Sequence, residues 1–173
     1  VDWQGCPIAG RNFTFIHKRQ GFPCGQYQLA FLYYDEDTVV TVKDAYGTIW
    51  TQTYANYYDG GTDLSQAING TTTFALNADS TIEVRTRNTT GPGKAGLKVT
   101  SNGIATYANG TWDKAASYSA IQVNDNLNLT SDLTVCSCTV QSNKNLIIES
   151  DNTLVVLENI VVADGGQIIV ENN

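Results

Sequence analysis

The chain has no Met, a single His, three Pro and only 16% charged residues, and each shortage removes a class of function. With His17 the only imidazole, a Ser-His-Asp or Cys-His nucleophilic centre would have to use it. That residue sits between an apolar stretch and Lys18-Arg19, at an exposed-looking strand end. Structural zinc is short of ligands for the same reason. Ten Lys and Arg stand against 17 Asp and Glu, a net charge of −7. Apart from His17-Lys18-Arg19 the basic residues are scattered in sequence, so no phosphate-tracking groove and no nucleic-acid partner is expected. No stretch approaches the roughly 20 apolar residues of a membrane-spanning helix. No charged-then-apolar leader opens at Val1, so an exported form would already have lost its signal.

What is abundant is Thr, Asn, Tyr, Val and 15 Gly, a composition that favours strands and turns. An all-β protein is expected, and 173 residues leave room for two modules.

The last third, 120–173, is the most regular. Apolar triplets return at Leu133-Thr134-Val135, Cys138-Thr139-Val140, Leu146-Ile147-Ile148, Leu154-Val155-Val156, Ile160-Val161-Val162 and Ile168-Ile169-Val170, parted by polar residues and Gly. Leu133 to Leu154 and Thr139 to Ile160 are steps of 21, and Leu146 to Ile168 is a step of 22. That period predicts parallel β-solenoid rungs with three short strands each and a corner at every break. No capping segment follows Ile168-Ile169-Val170, so a longer parent protein is expected.

Residues 1–100 show about seven short segments of strand character, the pattern of an immunoglobulin-like antiparallel β-sandwich. The expected strands are 12–16, 26–34, 38–43, 48–54, 71–76, 81–86 and 95–100, with 71–76 and 81–86 read as a pair and Asp44-Ala45-Tyr46-Gly47 as a hairpin turn. The longest irregular stretch, 55–67, is where binding is expected on such a scaffold. Residues 101–119 form a junction, with Trp112 and Tyr118 capping the first rung against edge aggregation.

Several strings in the C-terminal part carry a resemblance. They are Asn109-Gly110-Thr111-Trp112, Ile121-Gln122-Val123-Asn124, Val135-Cys136-Ser137-Cys138-Thr139-Val140, Asp151-Asn152-Thr153-Leu154 and Gly165-Gly166-Gln167 through Glu171-Asn172-Asn173. Over about 65 residues this resembles the β-solenoid segments of large secreted and cell-surface proteins of the Bacteroidetes, such as type IX secretion substrates. The resemblance implies an exported, surface-attached or released protein and no chemistry. It also implies O-glycosylation at Asp-Ser/Thr motifs, which Asp37-Thr38-Val39 and Asp79-Ser80-Thr81 resemble, placing the sugar on Thr38 or Ser80.

Among candidate sites, the 18-residue separation of Cys6 and Cys24, each beside a turn residue, suits a disulfide and an oxidising compartment. Cys136 and Cys138 are either packed thiols inside the coil or a strained bridge. Asp35, Asp37, Asp59 and Asp63 put oxygens on two loops and could hold calcium. Trp50, Tyr54, Tyr57 and Tyr58 lie in one region and could form a sugar-stacking platform, or else fill the core. No catalytic residues are expected. The leading expectation is a non-catalytic structural or adhesive segment of a secreted bacterial cell-surface protein, with other surface proteins or glycans as partners. The alternatives are a carbohydrate-binding module of a polysaccharide-active protein, and a filament subunit that self-associates through an exposed strand edge.

Overall fold

A computed structural model describes residues 2–4, 13–34, 37–54, 58–59, 73–88 and 95–172. Among the described residues there are strands and turns but no helix. The chain divides into two compact units, Val1–Ser101 and Asn102–Asn173.

The first unit contains β1 (Asp2–Gln4), β2 (Phe13–Gln20), β3 (Gly25–Tyr34), β4 (Asp37–Lys43), β5 (Ile49–Tyr54), β6 (Tyr58–Asp59), β7 (Thr73–Leu76), β8 (Thr81–Asn88) and β9 (Ala95–Ser101). One antiparallel sheet runs β1-β9-β3-β6, with β7 also on β3, and the other runs β2-β8-β4-β5. Side chains alternate across a strand, and the inward sets meet in one cluster. Leu29 and Phe31 of β3, Leu76 of β7 and Leu97 of β9 come from the first sheet, and Val40, Val42, Ile82 and Val84 from β4 and β8 of the second. Two antiparallel sheets sharing one core are consistent with the expected β-sandwich.

The strand order departs from the immunoglobulin-like expectation. There the first two strands are neighbours in one sheet; here β1 pairs with β9 and β2 with β8. The chain crosses between sheets at short connections. In the β2–β3 connection Gly21 takes a left-handed φ of 83°, its N–H donates to Ser80 O (3.0 Å) and Phe22 N–H donates to Asn77 O (3.0 Å). The partner turn, 77–80, carries the chain from β7 to β8. The expected 71–76/81–86 pair is therefore corrected: β7 lies on β3, while β8 sits between β2 and β4. Only β4 and β5 form the hairpin expected, and Asp44 Oδ1 holds its turn by accepting from Tyr46 N–H (2.9 Å) and Thr48 N–H (3.0 Å).

The second unit contains β10 (Ala105–Ala108), β11 (Thr111–Trp112), β12 (Ala120–Val123), β13 (Leu127–Leu129), β14 (Leu133–Val140), β15 (Asn145–Ile148), β16 (Leu154–Val162) and β17 (Gln167–Val170). Its sheets run β11-β10-β12-β14-β16 and β13-β15-β17. Apart from the β10–β11 hairpin every pairing is parallel, and like residues stack in columns: Leu127, Leu146 and Ile168; Val123, Val140 and Val162. The step from Leu133 to Leu154 is the expected 21 residues, and from Cys138 to Ile160 it is 22.

The expectation of one strand per triplet is corrected. Leu133–Val135 and Cys138–Val140 belong to the single strand β14, and 154–156 and 160–162 to β16, with a register shift between Val135 and Ser137. The two residues between the triplets of β14, Cys136 and Ser137, are too little chain for a corner. The ladder shifts register there instead, Val135 to Ser137 on β14 lying against Val156 to Asn159 on β16, so the extra residue of the bulge is on β16. Two sheets result where three faces were expected.

The turns stack as the strands do. Asn126 Oδ1 accepts from Asn145 N–H (3.0 Å) and Asp132 Oδ1 from Thr153 N–H (2.8 Å). Asp125 Oδ2 accepts from Asn109 N–H (2.7 Å), and Lys144 Nζ donates to its Oδ1 (3.3 Å). These contacts, that of Asn109 first, hold the Asp125 carboxyl below the usual carboxylate range. Asn143 and Gly165 both take left-handed φ, 57° and 71°, and the Asn143 side chain occupies the space a Cβ on Gly165 would need. At the first edge, the Asn109-Gly110 turn (φ 52° and 77°) brings Trp112 opposite Tyr107, ring centroids 5.3 Å apart. Tyr118 is tied elsewhere, its N–H donating to Thr134 O (2.7 Å).

Cys24 and Cys136 are each disulfide-bonded, whereas Cys138 keeps a free, buried thiol. The strained Cys136–Cys138 bridge is therefore not formed; Cys6, the expected partner of Cys24, lies outside the described residues. Burial pushes the Cys138 thiol up to about 11. Iodoacetamide at pH 8 is expected to leave Cys138 unmodified in the native protein and to alkylate it after unfolding, read by peptide mass spectrometry. Modification of the native protein at the rate of a free peptide thiol would contradict this burial.

Candidate functional site

The aromatic platform expected from the sequence is not built by Trp50 and Tyr54. Both occupy the inward register of β5 and pack against the core. Trp50 lies 5.2 Å from Phe74, and Tyr54 lies 4.6 Å from Phe31 and 5.7 Å from Tyr34, centroid to centroid. Burial, with a smaller contribution from Tyr34, pushes the Tyr54 hydroxyl up to about 12. Tyr57 lies outside the described residues, and Tyr58 is placed by its backbone alone, opposite Tyr34 on β3. The core-filling reading of these rings prevails for Trp50 and Tyr54 because period-2 alternation sends Ile49, Thr51 and Thr53 outward instead.

The calcium expectation cannot be assembled from what is described. Asp35 and Asp63 lie outside the described residues, and Asp37 and Asp59 fall on strands of different sheets, β4 and β6. Among the described residues no three His, Cys, Asp or Glu gather as a metal site requires. The glycosylation expectation is corrected by burial, since Thr38 and Ser80 are both 0% exposed. Thr38 shares a 3.1 Å hydrogen bond with Thr86. The Ser80 hydroxyl accepts from Asn77 N–H (2.8 Å) inside the 77–80 turn. Neither can meet a transferase in the folded protein.

The surface that does gather functional chemistry is the outer face of the β2-β8-β4-β5 sheet. Cross-strand register lines up Ile16, Arg85, Val39 and Thr53 as one row across the four strands, and Lys18, Glu83, Thr41 and Thr51 as the next. A groove of about 630 Å³ opens over the first row, lined also by Thr14 and Arg87. A second depression, about 190 Å³, continues over Lys18, Glu83, Thr41, Thr81, Lys43 and Ile49. Arg85 Nη2 contacts Glu83 Oε1 at 3.4 Å, with the Arg85 side chain 55% exposed; a guanidinium has five N–H donors, so this pair leaves donors directed at the groove. Thr51 Oγ1 donates to Thr41 Oγ1 (3.3 Å).

Sequence reasoning missed this face because it looked for runs of charge. The basic residues are spread over three strands, Lys18 on β2, Lys43 on β4 and Arg85 with Arg87 on β8. The signal for the last two was the alternation Thr81-Ile82-Glu83-Val84-Arg85-Thr86-Arg87, which puts the charged members on the side away from the core.

Comparison with known proteins leaves the chain to its own geometry. No protein-family model, curated protein or solved structure matches it. No helix of the described residues is long and apolar enough to cross a membrane.

Proposed function

We propose that this chain is a non-catalytic structural and adhesive segment of a large secreted bacterial cell-surface protein: a β-sandwich followed by the first coils of a parallel β-helix that acts as a stiff spacer. The observation that carries the reading is the change of exposure along the stacked columns. Ile121 and Cys138 are 2% and 0% exposed, but Ile160, next in their column, is 52% exposed. Val123 and Val140 are both 0% exposed and Val162 is 44%. On the other sheet Ile148 is 8% exposed and its successor Val170 is 63%. These are core positions half open on β16 and β17, and a further coil in the same register buries them, each large apolar side chain contributing about 1.5–3 kcal/mol when fully covered. A parallel ladder needs no special side chain beyond the apolar column, so it extends by repetition. The disulfide state of Cys24 and Cys136 supports an oxidising, extracellular setting.

The test is a chain in which residues 149–170 are repeated once after Val170. The added coil is expected to raise the melting temperature of the parallel unit and to slow amide exchange in β16. An added coil that stays unstructured, or that leaves β16 exchange unchanged, overturns the reading.

A further inference from the structure

We infer a second function that lies in the antiparallel unit and does not rest on the coil reading: the outer face of the β2-β8-β4-β5 sheet binds an extended, carboxylated polysaccharide. Four of the chain's ten basic residues, Lys18, Lys43, Arg85 and Arg87, line the two depressions of this one face. Among the described lining residues Glu83 is the one acid, and Asp37 stands across from Arg87 at the start of β4. The whole chain carries −7, so the face is a positive island on an acidic protein. Such an arrangement draws an anionic ligand to one place and repels it from the rest.

The geometry suits a polymer better than a single ion. Arg85 and Arg87 are two residues apart on β8, so they project from the same side about 7 Å apart. From Arg87 to Thr81 the face runs about 20 Å along the strand. Their guanidinium forks match carboxylates in bidentate fashion. Between the charges stand Thr14, Thr53, Thr41 and Thr51, whose hydroxyls both donate and accept, the capacity sugar hydroxyls need. Ile16 and Ile49 are 51% and 69% exposed on the same face, offering apolar contact to the C–H side of a pyranose ring. The described outward positions of these four strands carry no aromatic ring, which disfavours single-stranded nucleic acid, whose bases stack on aromatics. With Glu83 and the Asp37 position across from Arg87 set against four cations, the charge density is moderate, suited to one carboxylate per sugar and low for a sulfated chain. The two central strands, β8 with Arg85 and Arg87 and β4 with Lys43, are held by main-chain ladders on both sides, so their backbone needs no ordering to bind.

Polygalacturonate is the probe, measured against the whole chain by isothermal titration at low ionic strength, with dextran, dextran sulfate and oligo-dT as comparisons. Binding to polygalacturonate that weakens as NaCl is raised, with none to dextran, is expected. Arg85→Ala combined with Arg87→Ala should weaken it tenfold or more, while Lys114→Ala, on the other unit, leaves it unchanged. Thr53→Trp, which fills the groove without removing charge, should weaken it as well, and serves if the double variant fails to fold. The inference is overturned by no binding to polygalacturonate, by binding that neither the double variant nor Thr53→Trp reduces, or by binding confined to dextran sulfate or oligo-dT.

Discussion

Leu146→Ala is expected to cost the parallel unit about 2–5 kcal/mol, the usual range for truncating a fully buried Leu. Leu146 is 1% exposed and sits in the middle of the column between Leu127 and Ile168. The cavity cannot be closed by repacking from one side, because strands on both sides are pinned by parallel ladders. A unit of about 70 residues has on the order of 4–10 kcal/mol of stability in all, so the loss is a large fraction of it. Hydrogen exchange should show protection falling across β12 to β15 while peptides from β3, β4 and β8 stay as they were. A loss shared equally by both units would mean that Leu146 does not act through the core of its own unit.

Thr86→Val should cost about 1–3 kcal/mol, and adding Thr38→Val should recover most of it. The two residues face each other across β4 and β8, both are fully buried, and their hydroxyls are 3.1 Å apart. Removing one leaves the other desolvated with no partner; removing both leaves two isosteric apolar side chains. Chemical denaturation of the two single variants and the double variant forms the cycle. A double variant that loses the sum of the singles would show that the hydroxyl pair is not what the site depends on.

Much of the local structure was legible because it depends on residues close in sequence. The alternation in Thr38 to Lys43 and the Asp44–Gly47 turn predicted β4 and its hairpin to within a residue, since period 2 and turn chemistry act over a few positions. The Leu133-to-Leu154 step was legible for a related reason: a parallel stack repeats its own column, so the pairing register is written as a period. Where the structure differs, neighbours in sequence are not partners in space. The segments ending at Leu76 and starting at Thr81 looked like a pair but enter different sheets. The triplets on either side of Cys136-Ser137 looked like two strands but belong to one, β14, whose register on β16 shifts between them.

The candidate site divides along the same line. Taken alone, the sequence determined that the protein is all-β, where β3, β4, β5, β8 and β9 lie to within about two residues, and the 21-residue step of the C-terminal stack, all of which follow from alternation, turn residues and repetition. Only the tertiary structure decided that Trp50 and Tyr54 turn into the core, that Thr38 and Ser80 are out of reach, and that Lys18, Lys43, Arg85 and Arg87 share one face. A strand's pattern shows that it has two sides, but which side meets the core and which residues lie across from it is set by non-local pairing, through backbone hydrogen bonds that are the same for every side chain.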